Sequence, residues 1–453
     1  MSFPRYPEYR DSGLEWLGQV PAHWEVMPIR RAAKLESGHT PSRSRPEYWQ
    51  DCTVPWFSLA DVWQIREQGA DVIYETKEKV SEVGLANSSA RLLPKGTVML
   101  SRTASVGFSA IMGVDMATTQ DFANWVCGPT LRPQFLLQVF RSMRSEFRRM
   151  MMGSTHNTIY MPDIQTLRLA LPPVVEQAAI VEFLDRETAK IDALVAEQQR
   201  LVELLKEKRQ AVISHAVTKG LNPDAPMKSS GVEWLGEVPE HWRVGKCGFH
   251  AKVLAGFAFP SEGFSDEPSH VRLLRGMNVA VGTLRWNDVV YWRREHEDGL
   301  SEFELQEGQI VVGMDRPLIA DGVRVARVQA KDLPCLLLQR VAAIDVCDGL
   351  HAGFLENLLA SPMFVAHFDP QTTGVSVPHI SPQQIRDFLI PVPPMDEQVQ
   401  IAQRLRVFLR DSDTLIAEAQ RAITLLQERR AALISAAVTG QIDVRGLASS
   451  EVA

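Results

Sequence analysis

The chain is written twice, and this limits what it can fold into more than any other feature. Residues 11–26, DSGLEWLGQVPAHWEV, return as SSGVEWLGEVPEHWRV at 229–244, with 11 of 16 positions identical. A longer echo runs at an offset of 221: residues 172–218 open PPVVEQAAIVEFLD, residues 393–439 open PPMDEQVQIAQRLR, and 22 of 47 positions agree. The order is therefore lead-in segment, variable block, long segment, and then all three again. Such repeats form equivalent units.

The long segment reads as a helix. After Pro172-Pro173 there is neither Gly nor Pro until Gly220, and Ala, Leu, Glu, Gln, Lys and Arg dominate. Ile180, Leu184, Ile191, Leu194, Leu201, Leu205 and Val212 recur in steps of three, four or seven, an apolar seam. The second copy keeps it as Ile401, Leu405, Ser412, Leu415, Ala422, Leu426 and Leu433, with the polar Gln198 and Ser412 weakening it. About 40 residues at roughly 1.5 Å each make a rod of about 60 Å. So narrow a stripe on so long a rod needs a partner, and the other copy supplies one. The expectation is that the helices pack on each other; the alternative is that each folds onto its own block.

The variable blocks, roughly 27–171 and 245–392, have the opposite texture. Short β-rich runs such as GTVML, IVVGM and GVRVARV are broken by Gly, Pro, Ser and Asp. Each predicts a mixed α/β domain of roughly 150 residues. Only their ends align, Gly153 with Gly374 and Ile164 with Ile385. Similar frames with divergent middles suggest one scaffold presenting two surfaces. The lead-in segments, each with two Trp, a Gly and a Pro, read as compact turns that tuck aromatics against a domain or helix base. A partner-docking epitope is the alternative.

The bulk properties narrow the class. A chain of 453 residues exceeds what one core serves, so several domains are expected. No apolar run approaches a membrane span, and the opening MSFPRYPEYRDSG lacks the apolar stretch of a secretory signal. Cys52, Cys127, Cys247, Cys335 and Cys347 are scattered and odd in number, with no C-x-x-C pair. This argues against a disulfide framework or zinc site and for a reducing cytoplasm.

No enzyme is legible. A methyltransferase would need a Gly-rich loop for S-adenosylmethionine and an Asn/Asp-Pro-Pro-aromatic stretch; the nearest approach is Asn222-Pro223-Asp224, in the linker after the first helix. There is no G-x-x-x-x-G-K-[ST] phosphate loop, no G-x-S-x-G elbow and no H-E-x-x-H helix. No histidines have metal-ligand spacing, and His23 and His241, in the lead-in segments, read as structural polar groups.

Taken together and in their order along the chain, SGHTPSRSRPEYW (37–49), LPKGTVMLSRTASVG (93–107), GSTHNTIYMPDI (153–164) and LRLALPPVVEQAAIVEFLD (167–185) with its echo FLIPVPPMDEQVQIAQRL (388–405) resemble the specificity subunit of type I restriction-modification systems. The resemblance spans nearly the whole chain. It implies an α/β fold in tandem duplication: a target-recognition domain at 1–171, a conserved helix and linker at 172–225, a second recognition domain at 226–392, and a second helix with a tail at 393–453. It implies that the helices pair as an antiparallel coiled coil with pseudo-twofold symmetry. Each domain would read half of a bipartite double-stranded DNA target. The partners implied are two methyltransferase subunits and, in the complete enzyme, two restriction subunits that translocate and cut. The chain itself would be non-catalytic and hold no metal or cofactor, with S-adenosylmethionine, ATP and Mg in partner subunits. The competing reading is a non-catalytic coiled-coil scaffold whose α/β blocks bind protein.

Base reading calls for Arg or Lys on guanine, Asn or Gln on adenine, and short hydroxyls on adaptable loops. In the first block the candidates are Thr40, Ser42, Arg43, Ser44 and Arg45; Arg102 and Thr103; Thr118, Thr119, Gln120 and Asp121; and Ser154, Thr155 and Asn157. Arg141, Arg144, Arg148 and Arg149 fall at helical spacing, one basic face suited to phosphates. In the second block the candidates are Arg272, Arg275, Asn278, Arg316, Thr372 and Thr373. Solvated loops, turn capping and a solvated helix face are the competing readings. Charge sets a condition. The chain carries a net −7; residues 1–171 hold 19 basic and 17 acidic side chains, net +2, but residues 226–392 hold 15 and 21, net −6. Any DNA face on the second block must be a local patch.

Overall fold

The computed structural model describes residues 3–151, 157–319, 322–368 and 379–447. Its two longest elements are the helices Val174–Lys219 and Met395–Val438, each starting directly after a Pro-Pro pair. Proline sets φ for a helix start but cannot continue one. Gly220 follows the first helix at φ +77° and Gly440 the second at φ +73°. Glycine is required at both exits: the backbone is left-handed, and a Cβ on Gly440 would stand 2.3 Å from Pro21 Cδ.

The chain forms two compact units, Met1–Gln198 with Arg421–Ala453, and Gln199–Gln420. The division crosses both long helices, so each unit holds one variable block and part of each helix.

In the first unit a five-stranded sheet runs in the order Ala33–Ser37, Phe122–Cys127, Val98–Ser101, Ser109–Met112 and Val72–Ile73. Val98 and Leu100 share a core with Phe135, Leu136 and Phe140 of the helix Pro133–Ser142. Met99, between them, joins Phe57, Met112 and Phe122 in a separate core. This alternation is the period of two of a strand buried on both faces.

The second unit repeats the arrangement. Its sheet runs Ala251–Ala255, Val341–Val346, Ile310–Gly313 and Val325–Arg327. Ile310 and Val312 pack with Phe354, Leu355 and Leu358 of the helix Ala352–Leu359. Val311 turns to Leu274, Ala326 and Leu337 on the other face. Each unit also has a short strand directly after its lead-in segment, Glu25–Pro28 or Arg243–Lys246, paired antiparallel with the strand before its Pro-Pro, Arg168–Leu171 or Leu389–Val392.

The lead-in segments close onto the helix starts. In the first unit Trp24 Nε1 donates to Glu176 Oε1 at 3.1 Å, His23 Nε2 lies 2.9 Å from Glu176 Oε2, and the Tyr6 hydroxyl donates to the same carboxylate. In the second, Trp242 Nε1 donates to Glu397 Oε2 at 2.7 Å and His241 Nε2 lies 2.6 Å from Oε1. The next residue is equally fixed. Gln177 accepts from Arg132 N and donates to Thr130 O and Pro172 O; Gln398 accepts from His351 N and donates to Gly349 O and Pro393 O. Trp24 and Trp242 are fully buried, which makes them structural and unavailable for docking.

Within the first unit Ile180, Leu184 and Ile191 share a core with Leu433, Ile434 and Ala437, and Arg430 Nε pairs with Asp192 at 2.8 Å. Within the second, Ile401 and Leu405 share a core with Ile213, Ala216 and Val217, and Arg209 pairs with Asp413. The expected seam needs correction elsewhere. Leu194, Leu201 and Leu415 are 45%, 43% and 50% exposed, and Leu205, Val212 and Leu426 are half-buried. A seven-residue template drifts by about 20° per repeat on a straight helix, so it loses the buried face along a rod this long.

The carboxylate joint predicts an asymmetry in stability. Glu176→Ala leaves a buried indole N–H and two further donors without a partner, and should cost about 2–4 kcal/mol. Glu397, whose side chain is 38% exposed against 6% for Glu176, should cost less on the same substitution. Urea unfolding of the two variants checks this; an equal or larger loss at Glu397 would refute it.

Candidate nucleic-acid interface

The first block gathers several of the expected side chains. Gly38 passes so close to the turn 118–121 that a Cβ there would stand 2.1 Å from Thr119 O, and His39 N donates to Thr118 O at 3.0 Å. The loop carrying Thr40 is thereby laid against Gln120, and Thr40 Oγ1 donates to Gln120 Oε1 at 2.6 Å. Arg102 joins through Nε to Gln120 O at 2.9 Å. Thr103 bridges to Thr158, and Ala104 N donates to Asn157 O at 3.0 Å. Thr40, Arg102, Thr103, Gln120 and Asn157 thus form one cluster from four separate chain segments.

The neighbouring loop is stiffened by stacking. Arg43 lies 3.7 Å over the Trp49 ring and pairs with Glu78, Ser42 and Ser44 hydroxyls meet at 2.8 Å, and Arg45 lies 3.6 Å from Glu47. His39, Ser42, Arg45, Tyr48 and Asn87 line a hollow of about 430 Å³ beside it.

Other candidates are spent internally. Thr119 is buried at 5% exposure and donates to Asp121 Oδ2. Arg141 pairs with Asp71, and Met143 breaks the basic stretch into two helices, Pro133–Ser142 and Arg144–Met150. Arg149 pairs with Glu146, leaving Arg144 and Arg148 exposed. The four arginines therefore do not form the single basic face expected of them. Ser154, Thr155, Thr372 and Thr373 lie outside the described residues.

In the second block Asn278 leaves the candidate set. It is 2% exposed, its Oδ1 accepts from Arg275 N, and its Nδ2 donates to Arg285 O and Asp288 O. The equivalent Asp61 accepts from Ser58 N in the first block, so the position is a turn cap. Arg272 stacks 4.7 Å from the Trp286 ring and donates to Lys331 O and Leu333 O; Arg275 pairs with Asp288 at 2.8 Å. Arg316 is exposed.

A cluster the sequence did not reveal stands beside it. His379 Nδ1 lies 2.8 Å from Asp315 Oδ1, Arg340 reaches the same histidine, and Arg324 donates to Val279 O and Asp315 O at 2.9 Å each. Burial lowers the Arg324 pKa; Asp315 opposes the shift and Arg316 adds to it. These residues are far apart in sequence, and no motif announces them.

Also in the second unit, a cleft of about 1820 Å³ is walled by Lys206, Arg209, Arg285, Arg327, Arg406 and Arg410, with Glu207, Glu356 and Asp413 among the opposing acids. Among the described residues no group of three or more His, Cys, Asp and Glu could hold a metal, and no helix is long and apolar enough to cross a membrane. Burial pushes the Cys127, Cys247 and Cys335 thiols up to about 12, the opposite of an activated nucleophile.

Comparison with known proteins agrees with this architecture. Residues 21–204 and 290–425 match the type I restriction modification DNA specificity domain. The EcoAI specificity subunit of Escherichia coli is 32% identical over 216 residues, covering 48% of this chain and 36% of that protein. The MjaVIII specificity subunit of Methanocaldococcus jannaschii is 25% identical, covering 62% of this chain and 64% of that protein. This chain therefore matches less than two thirds of either relative. The MjaIX specificity subunit of the same archaeon is 22% identical over 95% of this chain and 96% of its own length. Among solved structures, one from work on complex assembly and conformational transition of the type I R-M system covers 93% of this chain and 99% of its own, with TM-score 0.65 and 15% identity. The HsdS subunit of Thermoanaerobacter tengcongensis covers 93% and 98%, with TM-score 0.52 and 16% identity. With both copies of its repeat reached by the match, the chain belongs to the family of type I restriction-modification specificity subunits.

Proposed function

We propose that this chain is the non-catalytic, sequence-reading subunit of a methyltransferase and restriction complex, each variable block reading one half of a bipartite double-stranded DNA target. The observation that carries the reading is the match of frames with a mismatch of tips. Both blocks share the order of four central strands and the helix-start joint, yet Val98–Ser101 leads into Arg102-Thr103-Ala104 and Ile310–Gly313 into Met314-Asp315-Arg316.

In this reading the long helices pair antiparallel and set the stride between half-sites. The ion pairs Asp192–Arg430 and Arg209–Asp413 support it, because at the repeat offset of 221 they are the same pair with its partners exchanged between helices. Half-sites on one face of the duplex would be centred about one helical turn apart, roughly 10 bp. The exposed Leu194, Leu201 and Leu415 then offer apolar surface to two methyltransferase subunits, with two restriction subunits completing the nuclease. S-adenosylmethionine, ATP and Mg belong to those partners, and the complex acts on DNA in the cytoplasm.

Exchanging residues 27–171 for the matching block of a relative should change one half of the methylated motif and leave the other intact. Methylation-sensitive sequencing of DNA from cells carrying this subunit and its methyltransferase partner reads the outcome. A change in both halves, or in neither, refutes modular reading. The net −6 of residues 226–392 predicts that the lone subunit binds DNA weakly and that partners supply most phosphate contacts. Gel shifts with and without the methyltransferase check this; tight binding by the lone subunit at physiological salt would contradict it.

A further inference from the structure

The two blocks share a backbone outlier. The third residue beyond the strand Val98–Ser101 is Ala104, at φ +56°; the third beyond Ile310–Gly313 is Arg316, at φ +46°. Neither is glycine, and a side chain is unfavourable in this backbone region. Both corners are anchored alike. Arg102 N donates to Asp121 O and Met314 N to Arg340 O, each at 2.9 Å. Thr103 bridges to Thr158, and Asp315 to His379. The same unfavourable corner is therefore held, by the same contacts, in two blocks whose side chains there have nothing in common.

What differs is the side chain at the apex. In the first block it is a methyl group. In the second it is a guanidinium, and its neighbours are occupied: Arg324 is spent on Val279 O and Asp315 O, Arg340 on His379 and Asp315, and Asp315 on His379. Arg316 makes no hydrogen bond or ion pair among the described residues and is exposed. Arg316, Arg324 and Arg340 against Asp315 give a local excess of two positive charges on a block whose net charge is −6. This is the local patch the charge balance requires.

We propose that this left-handed corner is the base-reading apex of each block, and that Arg316 reads a guanine in the half-site of the second block. The inference rests on the DNA-reading function proposed above and names the residue and base. The chemistry follows from the fork of donors, which fits the O6 and N7 acceptors of guanine in the major groove, the commonest specific protein–DNA contact. A corner held from both sides fixes where the Arg316 backbone sits and the direction in which the side chain leaves it. Ala104, at the matching place, can offer only apolar contact such as a thymine methyl accepts. One backbone device would thus serve two different half-sites through one substitution.

The test is Arg316→Ala and Arg316→Lys in the full chain, assembled with the methyltransferase partner, with methylated motifs read by sequencing. Alanine already occupies the equivalent corner at Ala104, so the backbone tolerates it. Arg316→Ala should lose preference for guanine at one position of the second block's half-site, by about tenfold to a hundredfold, and leave the other half-site unchanged. Arg316→Lys keeps the charge and can still donate to O6 and N7, but without the fork, so it should hold overall DNA affinity and keep only part of the preference. An unchanged motif, or an equal loss across all sequences that lysine restores, overturns the assignment, the latter marking a phosphate contact. If the unaltered complex methylates no two-part sequence, the DNA-reading function itself fails. If that motif is two-part and Arg316→Ala leaves it intact, only the Arg316 assignment fails.

Discussion

A carboxylate at the start of each long helix, buried in the first unit and partly exposed in the second, ties the other parts together. Glu176 and Glu397 lie in the first turn, where the helix dipole favours negative charge, and each receives the indole N–H of a tryptophan some 150 residues earlier. The tryptophan side chain fills the base of the block, and its single donor has nowhere else to go once buried. The carboxylate thus fixes the angle at which the helix leaves the block. The adjacent glutamine does the rest, for Gln177 and Gln398 each saturate three backbone groups across the same junction. A helix leaving at a fixed angle can carry a distance. A helix on a loose hinge cannot.

This explains why the chain repeats some residues closely and lets others drift. The Trp–Glu joint fails if either partner changes, so His23-Trp24 and Glu176-Gln177 recur as His241-Trp242 and Glu397-Gln398. The sheet demands much less. Val98, Met99 and Leu100 occupy the places of Ile310, Val311 and Val312, and any apolar residues of similar volume satisfy a strand buried on both faces. The blocks therefore keep their strand order with almost no identity in their middles.

The same contrast marks what was legible. Proline and glycine punctuation set the first helix at Val174–Lys219, between Pro173 and Gly220, because those residues act locally. The duplication located two equivalent frames. The middle of the seam was not legible, because a heptad template drifts from the buried face: Ile213 is buried where Val212 was expected. Nor could Asn278 be told from a base reader, since a capping amide and an adenine-reading amide look alike in Arg-Gly-Met-Asn. The pairing of Arg141 with Asp71 spans seventy residues, beyond any local pattern. The Asp315–Arg324–Arg340–His379 cluster was hidden for the same reason.

That cluster bears on the charge paradox of the second block. An acidic domain repels DNA at long range, and screening removes most of that repulsion beyond a Debye length of about 8 Å at physiological salt. Close to the surface, local charges decide. Arg324 is drawn inward by Asp315 O and Val279 O, and Arg340 is tied at the surface to His379 and Asp315, so both contribute positive potential while engaged within the block. A domain built this way would bind any DNA poorly and discriminate between sequences well, since little of its affinity comes from the uniform backbone. If the block reads DNA as proposed, an acidic surface with one cationic apex would suit selective reading better than a basic one, provided partner subunits hold the duplex in place.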